Sequence, residues 1–263
     1  MAQIVRPETH REFLNTGEHR VEVEPSPRWV RVEFNGQTIA SSRHVLMLRE
    51  TRHLPVYYFP REDVHMDLLE ATPTHTTCPY KGEASYWSIK VGDRVSEDAV
   101  WSYVDPLPER RDIAGYIAFY WNRVDHWYEE DEEVYKHPRD PYHRVDALRA
   151  SRHVEVVANG QTVAETDHPV LLFETGHVTR YYIPRQDVNW ELLEATPTAS
   201  TCPYKGDAVY WKARAGEQDI AWSYPRPVLE CPTIRGMIAF YNERVDAIYV
   251  DGESAAVPQP RPS

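Results

Sequence analysis

The residues with the clearest chemical potential are two copies of one hexapeptide, Thr77-Cys78-Pro79-Tyr80-Lys81-Gly82 and Thr201-Cys202-Pro203-Tyr204-Lys205-Gly206. A cysteine reacts as its thiolate, which a neighbouring cation favours. Lys81, three residues beyond Cys78, is spaced to supply that cation or to hold an anionic ligand. Pro79 removes an amide donor and confines Cys78 to extended backbone. Gly82 permits a close backbone approach or a positive φ. His53 and His177 stand at matching places and are candidate bases, as do His44 and His168; Glu50/Glu174 and Asp63/Asp187 are the shared carboxylates. Thiol, imidazole and carboxylate are the parts of a nucleophile with an oriented base. Cys78, Lys81 and His53, with Cys202, Lys205 and His177, are therefore the candidate catalytic groups. Against this stands a packing explanation, a buried inert thiol in a tight turn, since free cysteine is among the most buried residue types.

The same parts could supply four metal ligands: one Cys, two His and one Asp. No Cys-x-x-Cys or His-x-x-x-His pair is present, so no metal site is expected, and the sequence leaves the cofactor unknown. Lys81-Gly82 lacks the glycines and the Ser/Thr of a phosphate loop, and no dinucleotide fingerprint or Gly-x-Ser-x-Gly elbow occurs. Tyrosine and tryptophan are abundant, 17 and 8 against 6 phenylalanines. Their polar handles suit pocket walls as well as cores. Tyr58, Tyr86, Trp87 and Trp101, and Tyr182, Tyr210, Trp211 and Trp222, are the candidate ligand-binding rings. The competing expectation is that these rings only build cores and a contact between domains.

The elements that must position these groups come twice. Asn35-Gly36-Gln37-Thr38 recurs as Asn159-Gly160-Gln161-Thr162, and Leu68 to Thr74 recurs as Leu192 to Thr198, displaced by about 124 residues, a domain-sized period. Beyond Val91-Gly92 the displacement drops by three, which places a deletion in a surface turn. Two repeat domains are expected at 28–130 and 152–250. A polar N-terminal extension (1–27), an acidic and proline-containing linker (131–151) and a disordered tail (251–263) flank them.

Each copy reads as mainly β. Val30, Val32 and Phe34 alternate with polar residues, and Asn35-Gly36 then accepts the positive φ angles of a type I′ hairpin turn. Short apolar runs at 45–48, 56–59, 84–89 and 99–103 suggest further strands. Pro60-Arg61-Glu62-Asp63 opens a helical segment expected to reach Glu70. Ile113 to Tyr120 is strand or helix; periodicity leaves both open. The expected fold is two tandem copies of a compact, mostly antiparallel β domain, each with one short helix, related by a pseudo-two-fold in place of a homodimer.

The 263 residues carry 29 basic and 41 acidic side chains, for a formal charge of −12. That surplus argues against nucleic acid and anionic membranes as partners. No apolar run approaches the roughly 20 residues of a membrane span, and no secretory leader is apparent. Three cysteines fit a reducing cytoplasm better than a disulfide scaffold.

The strings Tyr57-Tyr58-Phe59-Pro60-Arg61-Glu62-Asp63-Val64, Cys78 to Trp87 and Ala99-Val100-Trp101-Ser102-Tyr103 resemble the bacterial and fungal domain of unknown function numbered 427. The second copy matches through Tyr181 to Pro184, Cys202 to Trp211, and Ala221 to Tyr224. The resemblance implies a small, β-rich domain without an established activity, sometimes labelled nucleotidyltransferase. It also implies that Cys78, Lys81, Tyr86 and Trp101, with Cys202, Lys205, Tyr210 and Trp222, are the defining positions. The chain departs from the family in being a tandem, which gives two sites if each domain acts alone and one if a shared groove acts. The function expected is small-molecule binding or catalysis at a Cys/Lys/His corner of an aromatic pocket, with an anion as the ligand suited to Lys81. A nucleotidyltransferase-like activity or a non-catalytic interaction module is the alternative.

Overall fold

The computed structural model describes residues 19–257. The chain divides into two compact units whose boundary in sequence falls between Asp140 and Pro141. The first unit carries β1 (Val21–Pro25), β2 (Val30–Phe34), β3 (Gln37–Ser42), β4 (Leu46–Glu50), β5 (Val56–Pro60), β6 (Leu69–Cys78), β7 (Gly82–Val91), β8 (Arg94–Ser102), β9 (Tyr116–Phe119), β10 (His126–Glu129) and β11 (Glu132–Glu133). A seven-stranded sheet runs in the order β1-β4-β5-β9-β8-β7-β6, and a four-stranded sheet in the order β11-β10-β2-β3. Every pairing between these strands is antiparallel.

The second unit repeats this order. Its strands are β12 (Val145–Arg149), β13 (Val154–Ala158), β14 (Gln161–Thr166), β15 (Val170–Glu174), β16 (Arg180–Ile183), β17 (Leu193–Cys202), β18 (Gly206–Ala213), β19 (Asp219–Pro227), β20 (Ile238–Phe240), β21 (Ala247–Val250) and β22 (Glu253–Ser254). They form sheets β12-β15-β16-β20-β19-β18-β17 and β14-β13-β21-β22. The three-residue deletion falls in the β18–β19 hairpin, as the change in displacement requires.

Strand alternation gives each large sheet two different faces. Met47, Tyr57, Phe59, Val100, Ile117 and Phe119 point one way and pack on Val30, Val32 and Ile39 of the small sheet. Fully burying each such side chain stabilises the domain by about 1.5–3 kcal/mol. Leu48, Tyr58, Tyr86, Trp101 and Ala118 point the other way and gather a second apolar cluster with Tyr103, Ile113 and the Cys78 side chain. The second unit builds the same two clusters.

The Asn-Gly turns form as expected, with Asn35 and Gly36 at φ 49° and 72° and Asn159 and Gly160 at 52° and 70°. Other expectations need correction. No α-helix occurs among the described residues. The helix expected up to Glu70 is instead two single 3₁₀ turns, Arg61–Asp63 and Met66–Leu68. Val64 interrupts them because it is buried and bridges Ala40 of β3. Ile113–Tyr120 resolves into a 3₁₀ turn ending at Ile113 and the strand β9.

The expected domain limits were too narrow. Val21–Pro25 and Val145–Arg149, assigned to extension and linker, are edge strands paired to β4 and β15. The acidic run at 129–133, whose last three residues open the expected linker, forms the β10–β11 hairpin. Glu129 is buried, accepts a hydrogen bond from Tyr57 Oη at 2.9 Å and pairs with Arg28 at 3.0 Å. Residues 1–18 of the expected extension and 258–263 of the expected tail lie outside the described residues.

The turn of the repeated hexapeptide sets a strict condition on its glycine. Lys81 N–H donates to Cys78 C=O at 3.3 Å, which closes the β6–β7 turn, and Lys81 C=O accepts from Leu107 N–H at 3.1 Å. Gly82 follows at φ +104°, where a Cβ would stand 3.3 Å from Leu107 N. Gly206 sits at φ +102° with Arg226 O only 3.0 Å from a Cβ. Gly82→Ala and Gly206→Ala are each expected to cost about 1–3 kcal/mol, read as a fall in the urea midpoint. Gly36→Ala, with nothing within 4 Å of its Cβ, should cost less.

Candidate functional site

The turn aims Lys81 inward. Its ammonium group is buried and donates to Glu50 Oε2 at the end of β4. Across the sheet, β4 and β7 are separated by β5, β9 and β8, so a flat sheet would hold them about 19 Å apart. The pair forms because the sheet rolls over its second apolar cluster, helped by register shifts near Ala71–His75 and Trp87–Ile89.

A histidine completes the arrangement. His19 Nε2 lies 2.9 Å from Glu50 Oε1, and its ring stacks on Tyr80 with centroids 3.7 Å apart. The backbone just after it is fixed: Arg20 N–H donates to Thr51 Oγ1 at 2.9 Å, and Thr51 N–H to Arg20 C=O at 3.0 Å. The second unit repeats each part. Lys205 Nζ reaches Glu174 Oε1 at 2.5 Å, and His143 Nε2 approaches the same oxygen at 2.9 Å. His143 stacks on Tyr204 at 4.2 Å, and Thr175 clasps Arg144 as Thr51 clasps Arg20. Each site is built wholly from one unit, so the chain holds two.

Burial alone would push the Glu174 carboxyl up. The His143 hydrogen bond and the Lys205 charge outweigh that and hold it at about 2. Glu50 is shifted the same way, with burial opposed by Lys81, His19 and the charge of His53. Of the candidate bases, His53 and His177 are the ones near Glu50 and Glu174, and their charge favours those carboxylates. His53 is exposed, its ring 6.4 Å from His19, and its Nδ1–H donates to Thr51 C=O at 3.0 Å. His177 lies 6.2 Å from His143. Cys78 and Cys202 are half-buried against the cluster of rings. The cation expected to face them is already committed to a carboxylate.

Tyr58 and Tyr182 are 2% and 1% exposed and belong to the core. Trp101 Nε1 donates to Tyr58 Oη at 3.2 Å, and Trp222 to Tyr182 at 3.1 Å. Burial pushes the Tyr58 and Tyr182 hydroxyls up. Tyr86 and Tyr210 share this face and bond Thr76 at 2.8 Å and Ser200 at 2.5 Å. Trp87 and Trp211 do not: one residue out of phase, they pack against the other core, between the sheets. Sequence reasoning missed His19 and His143. The signal was present, since His19-Arg20-Val21 recurs as His143-Arg144-Val145 at the period of the repeat. It lay beyond the boundaries drawn for the domains.

Two rolled sheets over a duplicated Lys–Glu–His corner define a tandem β protein. Residues 22–130 and 146–251 match a family described as a domain of unknown function, DUF427. The chain belongs to that family and carries two of its domains. No curated protein matches it. His19 and His143 stand just before the matched stretches. Among the described residues no group of three or more His, Cys, Asp or Glu is arranged to hold a metal ion, and no helix is long and apolar enough to cross a membrane.

Breaking one partner of a buried ion pair leaves an uncompensated charge, a loss of about 3–5 kcal/mol. Lys81→Met is expected to lose that much in urea unfolding, and Lys81→Met with Glu50→Gln distinctly less. The Glu174 carboxyl is lowered on folding from 4.5 to about 2, so it stabilises the domain above pH 4.5. That contribution, roughly 3 kcal/mol, is lost as the pH falls from 4.5 toward 2. His143→Ala should shrink this acid-sensitive part, checked by unfolding at stepped pH. Burial raises the Cys231 thiol above its ordinary value, against the Lys205 charge. Maleimide should label Cys78 and Cys202 in the folded protein well before Cys231, measured by mass spectrometry.

Proposed function

We propose that each repeat binds a small molecule at the surface where the His–Tyr stack, the half-buried cysteine and the capped Lys–Glu pair meet. One observation carries the reading: a buried ion pair, capped by an imidazole and reached from a turn that also holds a half-buried cysteine, is built twice in one chain from the same seven-stranded frame. A buried ion pair is often no more stabilising than apolar packing, so stability alone is a weak reason for two copies. The groups offered to a ligand are the His19 and His53 rings, the Cys78 thiol and the half-exposed Tyr80 ring, with their second-unit counterparts.

Because Glu50 and Glu174 neutralise the lysines, the ligand is one recognised by hydrogen bonds and ring stacking, and an anion would meet mainly the imidazoles. In this reading the lysine positions the carboxylate, and the carboxylate orients His19. The half-buried thiol is a nucleophile in the turn of each corner and would serve an enzymatic role if the ligand is a substrate. Nucleotidyl transfer at this corner is disfavoured, since it needs charge at the phosphates and each buried ammonium is already paired. An acidic chain with three free cysteines supports a cytoplasmic protein that does not work on nucleic acid or membranes. The tandem supplies in one chain the two sites that single repeats would bring together by dimerising.

A metabolite-library thermal-shift screen tests this. A ligand bound only by the native state raises the midpoint. Hits are expected to raise it for the native sequence and much less for the Cys78→Ser/Cys202→Ser and His19→Ala/His143→Ala proteins. Equal shifts in all three would locate binding elsewhere.

A further inference from the structure

The two units differ at the end of the large sheet away from this corner. There the second unit has a cleft of about 700 Å³ lined by Arg149, Arg185, Arg235, His168 and neutral residues that include Thr233 and Gln186. Four short segments bring these groups together. Arg149 ends β12 opposite Val170, and Ala150 N–H donates to Pro169 C=O at 3.0 Å. Arg185 opens the 3₁₀ turn after β16, and Arg235 follows the turn Pro232–Ile234, held by a bridge to Tyr224. Val170 and Glu174 are the two ends of β15, so the cleft is about 13 Å along the strand from the Lys205–Glu174 pair.

Three arginines and no acidic residue are among the residues that line this cleft, in a chain of net charge −12. All three arginines are exposed, and among the described residues none is in an ion pair. Arg185 lies over the Trp190 ring at 4.0 Å. The closest acid in sequence, Asp187, accepts from Thr166 Oγ1 at 2.6 Å. The first unit does not repeat this set of arginines. Arg61 matches Arg185, but Pro25 replaces Arg149, Ala114 replaces Arg235, and the carboxylates Glu62 and Asp112 replace Gln186 and Thr233.

We propose that this cleft is a second ligand site, found only in the second repeat, that binds a small molecule bearing two or more phosphate groups. Each guanidinium presents a rigid fork of donors that matches phosphate oxygens in pairs. Arginines on three of the four segments suit a ligand with many acceptor oxygens and more than one negative charge. The volume lies within the range of small-molecule pockets. Thr233 and Gln186 add neutral donors at the same wall. This site is independent of the Lys–Glu–His corner.

The test is calorimetric titration of the full chain with inorganic pyrophosphate, with citrate in parallel as a multiply charged anion without phosphate. One pyrophosphate is expected per chain, bound more tightly than citrate and more weakly as salt rises. Arg149→Ala and Arg235→Ala should each weaken it by about tenfold or more. Arg61→Ala, at the equivalent place in the first repeat, should leave it unchanged. Arg149 and Arg235 are exposed and in no ion pair among the described residues, so circular dichroism should confirm that those variants keep the fold. Absence of binding, two equivalents per chain, citrate binding as tightly as pyrophosphate, or binding indifferent to Arg149 and Arg235 would each overturn the assignment.

Discussion

A lysine in a hairpin tip meets a glutamate that lies four strands away in its own sheet, and the shape of each domain turns on that contact. The tip can reach Glu50 only if the sheet is rolled, and the roll is what gives the tyrosines and tryptophans of β5, β7 and β8 an enclosed face. The glycine after the lysine lets the turn press on the following loop, and the histidine before the first strand closes the other side of the carboxylate. Charge and curvature thus depend on each other. The pair is shielded from water because the sheet curls, and the curl is pinned because the pair forms.

Much of this could be read in the sequence, for identifiable reasons. Asn35-Gly36 announces its turn because few residue pairs accept two positive φ angles in succession. The alternation of Val30, Val32 and Phe34 marks a strand with one buried face. Repetition carried the domain count, the antiparallel β class and the hexapeptide. Elements whose signals depend on distant partners were harder. β6 is exposed along most of its length, rich in threonine, and contains Pro73, which an edge strand tolerates and a central strand does not. Its local pattern is that of a loop. β1 and β12 are five residues each and gain their place only by pairing with β4 and β15.

The candidate site was legible in composition and only partly in arrangement. Cys78 and Tyr86 share one apolar cluster, and Glu50 was visible as a shared carboxylate. The direction of the lysine was not, because nothing local says whether an ammonium after a turn points to solvent or to a carboxylate 31 residues away. Trp87 next to Tyr86 shows the limit from the other side: adjacent strand residues face opposite ways, so a motif of consecutive rings must divide between two cores. The arginine cleft was invisible, since its groups lie on four segments that only folding joins.

The edge strands β1 and β12 have a practical meaning for anyone dividing this protein into pieces. A fragment started at the first obvious hairpin, after Pro27, would discard both an imidazole and the outermost ribbon of the sheet. β4 would then present a bare row of backbone donors and acceptors, the template on which strands of separate molecules join. Material cut that way would be prone to self-association and would carry an incomplete corner, so an inactive fragment would say nothing about the intact repeat.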